Sequence, residues 1–283
     1  MSNSFVHLHA HTEYSMLDGA AKIQTYIDRV KELGQPGAAI TDHGNLYGAL
    51  EFHNIAIKNG INPVIGYEAY ITTESRFDRP DRDKNKRYHL TLLAENTEGY
   101  WNLVKLASKA YTDGYYYKPR LDYDLMREHS KGIIALSGCL GGEIAQLLAP
   151  DGSIEEGNSQ GERSYEKALK KAELYQDIFG SENFYIELHN HGIKQQEIIL
   201  PDLLKISQEI SAPLVATNDS HYVYPKDSSA HDALLCVAQK TTINNGSRKT
   251  SNNQIAFKSN EKMFDIFSDL PEIIYNNFNV AIS

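Results

Sequence analysis

Short apolar runs alternate with longer amphipathic stretches almost from end to end of the chain. Runs of roughly four to eight apolar residues read as buried strands, and apolar residues recurring every three or four positions read as helices. On that basis strands are predicted at Phe5–Leu8, Ala38–Thr41, Val64–Ile71, His89–Ala94, Ile133–Leu136, Phe184–Leu188 and Leu214–Thr217. Helices are predicted at Ile23–Leu33, Leu46–Asn59, Glu98–Ala110, Glu143–Leu148, Ser164–Phe179, Gln195–Ile210 and Ser228–Ala238. Strands and helices taking turns imply a parallel sheet with helices on its faces, and seven strands point to a (β/α) barrel. Arg76–Arg87, Asp151–Arg163 and Thr241–Asn253 are charged or rich in Gly, Ser and Asn, and read as solvated loops. A last helix is expected at Pro271–Ile282, opened by Pro271 with Asp269 as a cap. A chain that stops there is expected to be cut from something longer, with residues 1–270 forming the domain and 271–283 starting a linker.

Composition narrows the class. With 283 residues, 41% hydrophobic and 23% charged, the chain has the balance of a soluble globular protein with one large core. No apolar run approaches the ~18 residues of a membrane span, and the opening MSNSFVHLHAH lacks the parts of a secretory signal, so a cytoplasmic protein is expected. Only Cys139 and Cys236 are present, which argues against a disulfide framework. A net charge of −9 argues against a broadly basic nucleic-acid surface, although acidic side chains committed to cations would leave a locally positive pocket.

The candidate chemistry lies at strand ends. In the first predicted strand His7, His9 and His11 share one face, so His9 and His11 can chelate one ion. Asp42 and His43 follow the second strand, Glu68 lies in the third and His89 opens the fourth; Cys139 follows the fifth, and Asp219 and His221 the seventh. In barrel enzymes residues at the C-terminal strand ends converge, and His89 fits that rule least well. Imidazole suits zinc, manganese and iron, carboxylates can bridge ions, and a thiolate favours zinc. The alternative is a hydrogen-bonded polar interior without metal, which would carry a heavy desolvation cost. Cys236 reads as core, and His53, His129 and His231 as exposed or capping residues.

The segments HLHAHTEYSMLDGA, AAITDHGNLYGALEF, INPVIGYEAYI, YHLTLLAEN, GYYYKPRLD, SGCLGGEI and LVATNDSHYV closely resemble the polymerase and histidinol phosphatase (PHP) domain family, in its order and over nearly the whole chain. The resemblance is closest to the branch carried by bacterial replicative polymerase alpha subunits. It implies an α/β fold, a distorted seven-stranded (β/α) barrel, holding three divalent metal ions, zinc and/or manganese with iron as a further candidate. By motif position the implied ligands are His9, His11, Asp18, His43, Glu68, His89, Cys139, Asp219 and His221. His9, His11, Glu68 and Asp219 would hold one ion, Glu68 would bridge to a second bound by His89 and Cys139, and Asp18, His43 and His221 would hold the third.

The resemblance further implies a metal-dependent phosphodiester hydrolase, a 3′–5′ proofreading exonuclease within a DNA-directed DNA polymerase, with Asp18, His43, Glu68 and Asp219 as catalytic residues. Its partners would be a DNA 3′ end, the polymerase region of the same parent chain and, through that parent, replisome subunits such as the sliding clamp; no membrane is involved. Tyr115–Arg120 sets aromatic faces beside cations, so Tyr116, Lys118 and Arg120 are candidates for gripping an unpaired DNA end. The alternative for these residues is packing on the barrel rim. Two other functions stay open: a small-molecule phosphatase, and a metal-stapled module that supports the polymerase without turnover.

Overall fold

In the computed structural model, which describes residues 4–81, 84–149, 163–246 and 253–282, seven strands form one mixed sheet. They are β1 (Gly37–Ile40), β2 (Asn62–Ile71), β3 (Tyr88–Ala94), β4 (Arg120–Leu121), β5 (Ile133–Leu136), β6 (Phe184–Leu188) and β7 (Leu214–Ala216). The order is β1-β2-β3-β5-β6-β7, with β4 pairing β2. The helices are α1 (Ile23–Glu32), α2 (Ala49–Lys58), α3 (Thr97–Thr112), α4 (Tyr123–Glu128), α5 (Glu143–Leu148), α6 (Tyr165–Phe179), α7 (Lys194–Ile210), α8 (Ser228–Ala238), α9 (Asn260–Ile266) and α10 (Glu272–Ile282). This is the α/β class and strand number that the sequence predicts. Most of the expected loop Asp151–Arg163, and parts of Arg76–Arg87 and Thr241–Asn253, lie outside the described residues.

The chain divides into two compact units, residues 1–65 with 216–283, and residues 66–215. In the first unit α1 buries Ile23, Tyr26, Ile27 and Val30, an i, i+3, i+4, i+7 stripe, in a core shared with Ala38, Ile40, Phe52 and Phe257. The segment predicted as the first strand is extended but is not a ladder strand. On one side the His7 carbonyl accepts from Ala39 N (2.9 Å). On the other, the buried Asn277 side chain of α10 donates to Val6 O (3.2 Å) and Ala216 O (2.6 Å) and accepts from Ala216 N (3.0 Å). A side chain thus satisfies peptide groups that a neighbouring strand would otherwise pair. The helix expected to lead out of the domain belongs to this first unit.

In the second unit the parallel expectation fails at one strand. β3 runs antiparallel to both β2 and β5. No α-helix is found among the described residues between β2 and β3, and without such a crossover the chain returns beside itself in the opposite direction. The returning loop is pinned from within. Arg120, 1% exposed, donates from Nε to Gly114 O, from one terminal nitrogen to Asn85 Oδ1 and from the other to Arg76 O and Asp78 O. Strand β4, which carries Arg120, has no alternating apolar signature and is too short to be seen in the sequence. At Gly66 a Cβ would sit 2.3 Å from Leu92 O, so only glycine lets β2 approach β3 there.

Candidate metal centre

The first unit brings together six of the expected ligands. Thr12–Gly19 forms a tight turn closed by Ser15 N–H to Thr12 O (3.0 Å) and Asp18 N–H to Ser15 O (2.9 Å), with Leu17 left-handed at φ 66. It presents Asp18, whose Oδ2 lies 2.8 Å from His43 Nε2 and 3.4 Å from His221 Nε2. Asp219 is itself left-handed at φ 43, a strained backbone that aims its carboxylate inward. Its Oδ1 lies 3.1 Å from His11 Nε2 and 3.4 Å from His9 Nε2, and the two imidazole nitrogens are 3.3 Å apart.

Surrounding groups fix a protonated nitrogen on two of these rings. The Ser15 hydroxyl gives its one proton to Asp42 Oδ1 (2.7 Å), so toward His11 Nδ1 (2.9 Å) it must accept. His11 is therefore protonated on Nδ1 and turns the lone pair of Nε2 to Asp219. His221 Nδ1 lies 2.8 Å from Asp219 O, which can only accept, so Nδ1 carries a proton and Nε2, open to a second proton or to a cation, faces Asp18. Lone pairs pointing at carboxylate oxygens repel unless a proton or a cation lies among them. Asp219 Oδ1 is moreover buried and makes no hydrogen bond of good geometry. The donor set fits a divalent cation.

The carboxylates are held ionised and His221 holds a second proton. Burial would raise the Asp18 carboxyl, but His221 and His43 hold it well below the usual range; burial would likewise raise Asp219, and His9, His221 and His11 hold it well below. Burial pulls His221 down, yet Asp18 and Asp219 outweigh it and raise it to about 9. Asp42, the other acidic residue beside His43 in the sequence, is an anchor instead. Its oxygens accept from Thr12 N (2.7 Å), Thr12 Oγ1 (2.8 Å) and Ser15 Oγ (2.7 Å), and burial raises its pKa. His7 lies one layer deeper, with Nε2 3.1 Å from Lys258 O between the rings of Phe5 and Phe257; burial pushes its pKa down to about 3, so it is a neutral core residue.

The second unit joins the other three. Glu68 Oε1 lies 3.1 Å from His89 Nδ1, and Cys139 Sγ is 3.6 Å from Glu68 Oε1 and 3.8 Å from His89 Nδ1. The antiparallel course of β3 explains His89. Register pairs it with Tyr70, so the start of β3 meets the C-terminal end of β2. The Cys139 sulfur accepts from Gly141 N–H at 3.2 Å, and a Cβ on Gly141 would press within 3.0 Å of His89 Nδ1.

Four residues escaped the sequence reading. Glu187 is buried, with Oε2 accepting from Gly138 N (3.0 Å) and Oε1 3.0 Å from His189 Nε2; His191 packs at 5.3 Å from His189. An ELHNH run after a strand was the signal available for these three. His231, expected to be exposed or capping, is 1% exposed: α8 turns it under the loop after β7, its ring 5.7 Å from that of His221. Cys236 is buried as expected.

The aromatic and cationic segment divides. Arg120 is committed to the loop described above, which corrects its reading as a ligand-gripping residue. Tyr116 donates to Pro80 O (2.8 Å) and packs against Arg79 and Arg120. Lys118 donates to Tyr70 OH (3.0 Å) with its ammonium 4.8 Å over the Tyr70 ring, whose edge meets His89.

Residues 7–191 match the PHP domain family. The chain belongs to the PHP domain family. It is 43% identical to the DNA polymerase III subunit alpha of Helicobacter pylori over 281 residues, 99% of this chain and 23% of that protein. It is 46% identical to the DNA polymerase III subunit alpha of Thermus aquaticus over 251 residues, 86% of this chain and 19% of that protein. The PHP domain thus spans less than a quarter of the length of these curated relatives. An amidohydrolase structure from Chromobacterium violaceum superposes with a TM-score of 0.45 and 13% identity over 77% of this chain and 88% of its own, a likeness too distant to bear on function. Among the described residues, no helix is long and apolar enough to cross a membrane.

Proposed function

We propose that this PHP domain is a metal-dependent phosphodiester hydrolase that removes nucleotides from DNA 3′ ends, as the proofreading part of a longer bacterial replicative polymerase alpha subunit. The observation that carries the reading is the convergence of imidazole nitrogens on the carboxylates of Asp18 and Asp219. His9, His11 and Asp219 would hold one divalent ion, Asp18, His43 and His221 a second, and Glu68, His89 and Cys139 a third, with zinc or manganese favoured and iron accepted. Such ions, when bound, supply Lewis-acid polarisation of a phosphoryl oxygen and bring water near its ionised form at neutral pH.

The protein's own side chains prepare that chemistry. Ser15 and the Asp219 carbonyl lock the His11 and His221 tautomers, and Asp42 holds Ser15 and Thr12 in place. Such outer hydrogen bonds orient ligands and raise their basicity. Gly141 N–H donates to the Cys139 sulfur, which suits a thiolate acting as a ligand. Residues 271–283 would lead toward the polymerase region, and the sliding clamp would be met through the parent protein in the cytoplasm.

The test is hydrolysis of single-stranded and 3′-mismatched DNA with zinc or manganese supplied. Mononucleotides released from a 3′-terminal label, with a 5′ label retained, are expected. Turnover of a chromogenic phosphate monoester without any DNA product would replace this reading by a small-molecule phosphatase. No turnover of either, in protein with bound metal, would leave a stapling role.

A further inference from the structure

The second unit contains a cavity of about 580 Å³ lined by Lys84, Lys86, Lys167, Lys170 and Lys171. It is separate from the Glu68, His89 and Cys139 cluster: Tyr88, which lines it, and His89 are consecutive residues of β3, so their side chains leave opposite faces of the sheet. On a chain of net charge −9, five lysines converging from two distant segments are a pronounced local reversal of charge. Lys167, Lys170 and Lys171 share one face of α6 by their i, i+3, i+4 spacing, and Lys84 and Lys86 come from the loop that Arg120 pins.

Glu143, on the floor of the cavity, is neutralised; the exposed Glu74 also lines it and, among the described residues, pairs with none of the lysines. Glu143 accepts from Tyr123 OH (2.8 and 2.9 Å) and Tyr175 OH (2.8 Å) and pairs with Lys171 Nζ (2.9 Å), so both partners are spent on each other. Lys84 lies 3.8 Å from the exposed Asp81, a weak solvent-screened contact. Among the described residues Lys86, Lys167 and Lys170 make no ion pair. Among the described residues, Lys86, Lys167 and Lys170 therefore carry charge that no carboxylate meets, and Lys84 carries charge that is only weakly met, all of it open to a ligand. Tyr88 is the lining aromatic residue and is itself buried, so the cavity has no exposed ring on which a base could stack.

We infer that this lysine-lined cavity binds the phosphodiester backbone of single-stranded nucleic acid, without reading bases. Flexible ammonium point charges without a stacking platform recognise phosphates by charge alone, and such binding releases counterions. With four lysines engaged, log Kobs should fall with log salt with a slope of about −3, from the ~0.7 per contact expected for single strands. The inference goes beyond the hydrolytic reading, and its test is run without divalent cations, so failure of one leaves the other standing.

The experiment is fluorescence anisotropy of a labelled oligothymidylate with the whole chain in excess chelator, across a salt series. Wild type should show the slope of about −3, and Lys167→Gln/Lys170→Gln a slope of about −1.4 with affinity at least about tenfold weaker at low salt. Lys84→Gln/Lys86→Gln should do the same from the opposite wall. Thermal unfolding of each variant checks that these substitutions, three at exposed lysines and one at the half-buried Lys86, leave the fold intact. Binding whose slope is the same in wild type and both variants would overturn the inference, as would no binding at low salt. Displacement of the oligonucleotide by pyrophosphate at matched ionic strength would also overturn it, since it would make the cavity a site for small condensed phosphates.

Discussion

His11 shows how much of the chemistry is decided one residue away from the ligands. Its own type permits either tautomer; the Ser15 hydroxyl, committed to Asp42, selects the one that turns Nε2 toward Asp219. Asp18 offers the cleanest substitution. Asp18→Asn keeps size and removes the charge facing His43 and His221, so the ion held there should be weakened. DNA hydrolysis is expected to fall by roughly a hundredfold or more, as for loss of a key electrostatic stabiliser. Stability should change by only about 1 to 2 kcal/mol, typical of a single polar substitution. Mononucleotide release and denaturant unfolding measured side by side check both; equal loss of activity and fold would contradict the account. Lys258 gives a pH prediction. Burial, with Lys262 nearby, pushes its pKa from 10.5 down to about 8, and it donates to Asn218 and Gln254 O. The unfolded chain binds this proton more tightly, so the folded state carries the cost below pH 8 and is relieved of it as pH rises toward 10.5. Wild type should therefore gain stability relative to Lys258→Met between pH 8 and 10.5, read as the difference between paired unfolding curves; a difference that does not change with pH would contradict it.

At the scale of elements, periodicity made most of the sheet and helices legible, because buried strands and amphipathic helices carry their burial in their spacing. Helix α5 has the predicted bounds, and α1, α6 and α7 differ by a residue or so at an end. Direction was not legible. The reversal of β3 goes with a β2–β3 connection that has no α-helix among its described residues, and it decides where His89 lies. Nor was β4 with its buried Arg120, since a cation between tyrosines and an acidic residue reads as a surface feature until its acceptors are known. Spacing alone also passed over Asp18, because LDG is an ordinary turn sequence; the family resemblance singled it out. Asn277 is a similar case, a polar residue in an amphipathic helix whose task is to satisfy Val6 and Ala216. Asn277→Leu keeps the branching at Cγ and the number of side-chain heavy atoms and leaves those peptide groups buried and unpaired, so a loss of about 2 to 4 kcal/mol is expected. Denaturant unfolding measures it, and a loss under about 1 kcal/mol would mean that the segment pairs without Asn277.

For the molecule as a whole, the acidic charge has a local logic. Asp18, Glu68 and Asp219 each face imidazole nitrogens in a largely buried setting, where protons or cations must balance their charge. Ions that bind only the folded chain stabilise it by mass action, so metal-free protein should melt at a lower temperature and recover on adding zinc or manganese. The most direct measurement is the metal content of the purified chain after reconstitution and removal of loosely held ions, with Asp18→Asn beside it. The account predicts about three equivalents of divalent transition metal per wild-type chain and about two in the variant, because separate donor sets serve each ion. A wild-type chain that retains none, and melts identically with and without metal, would contradict it.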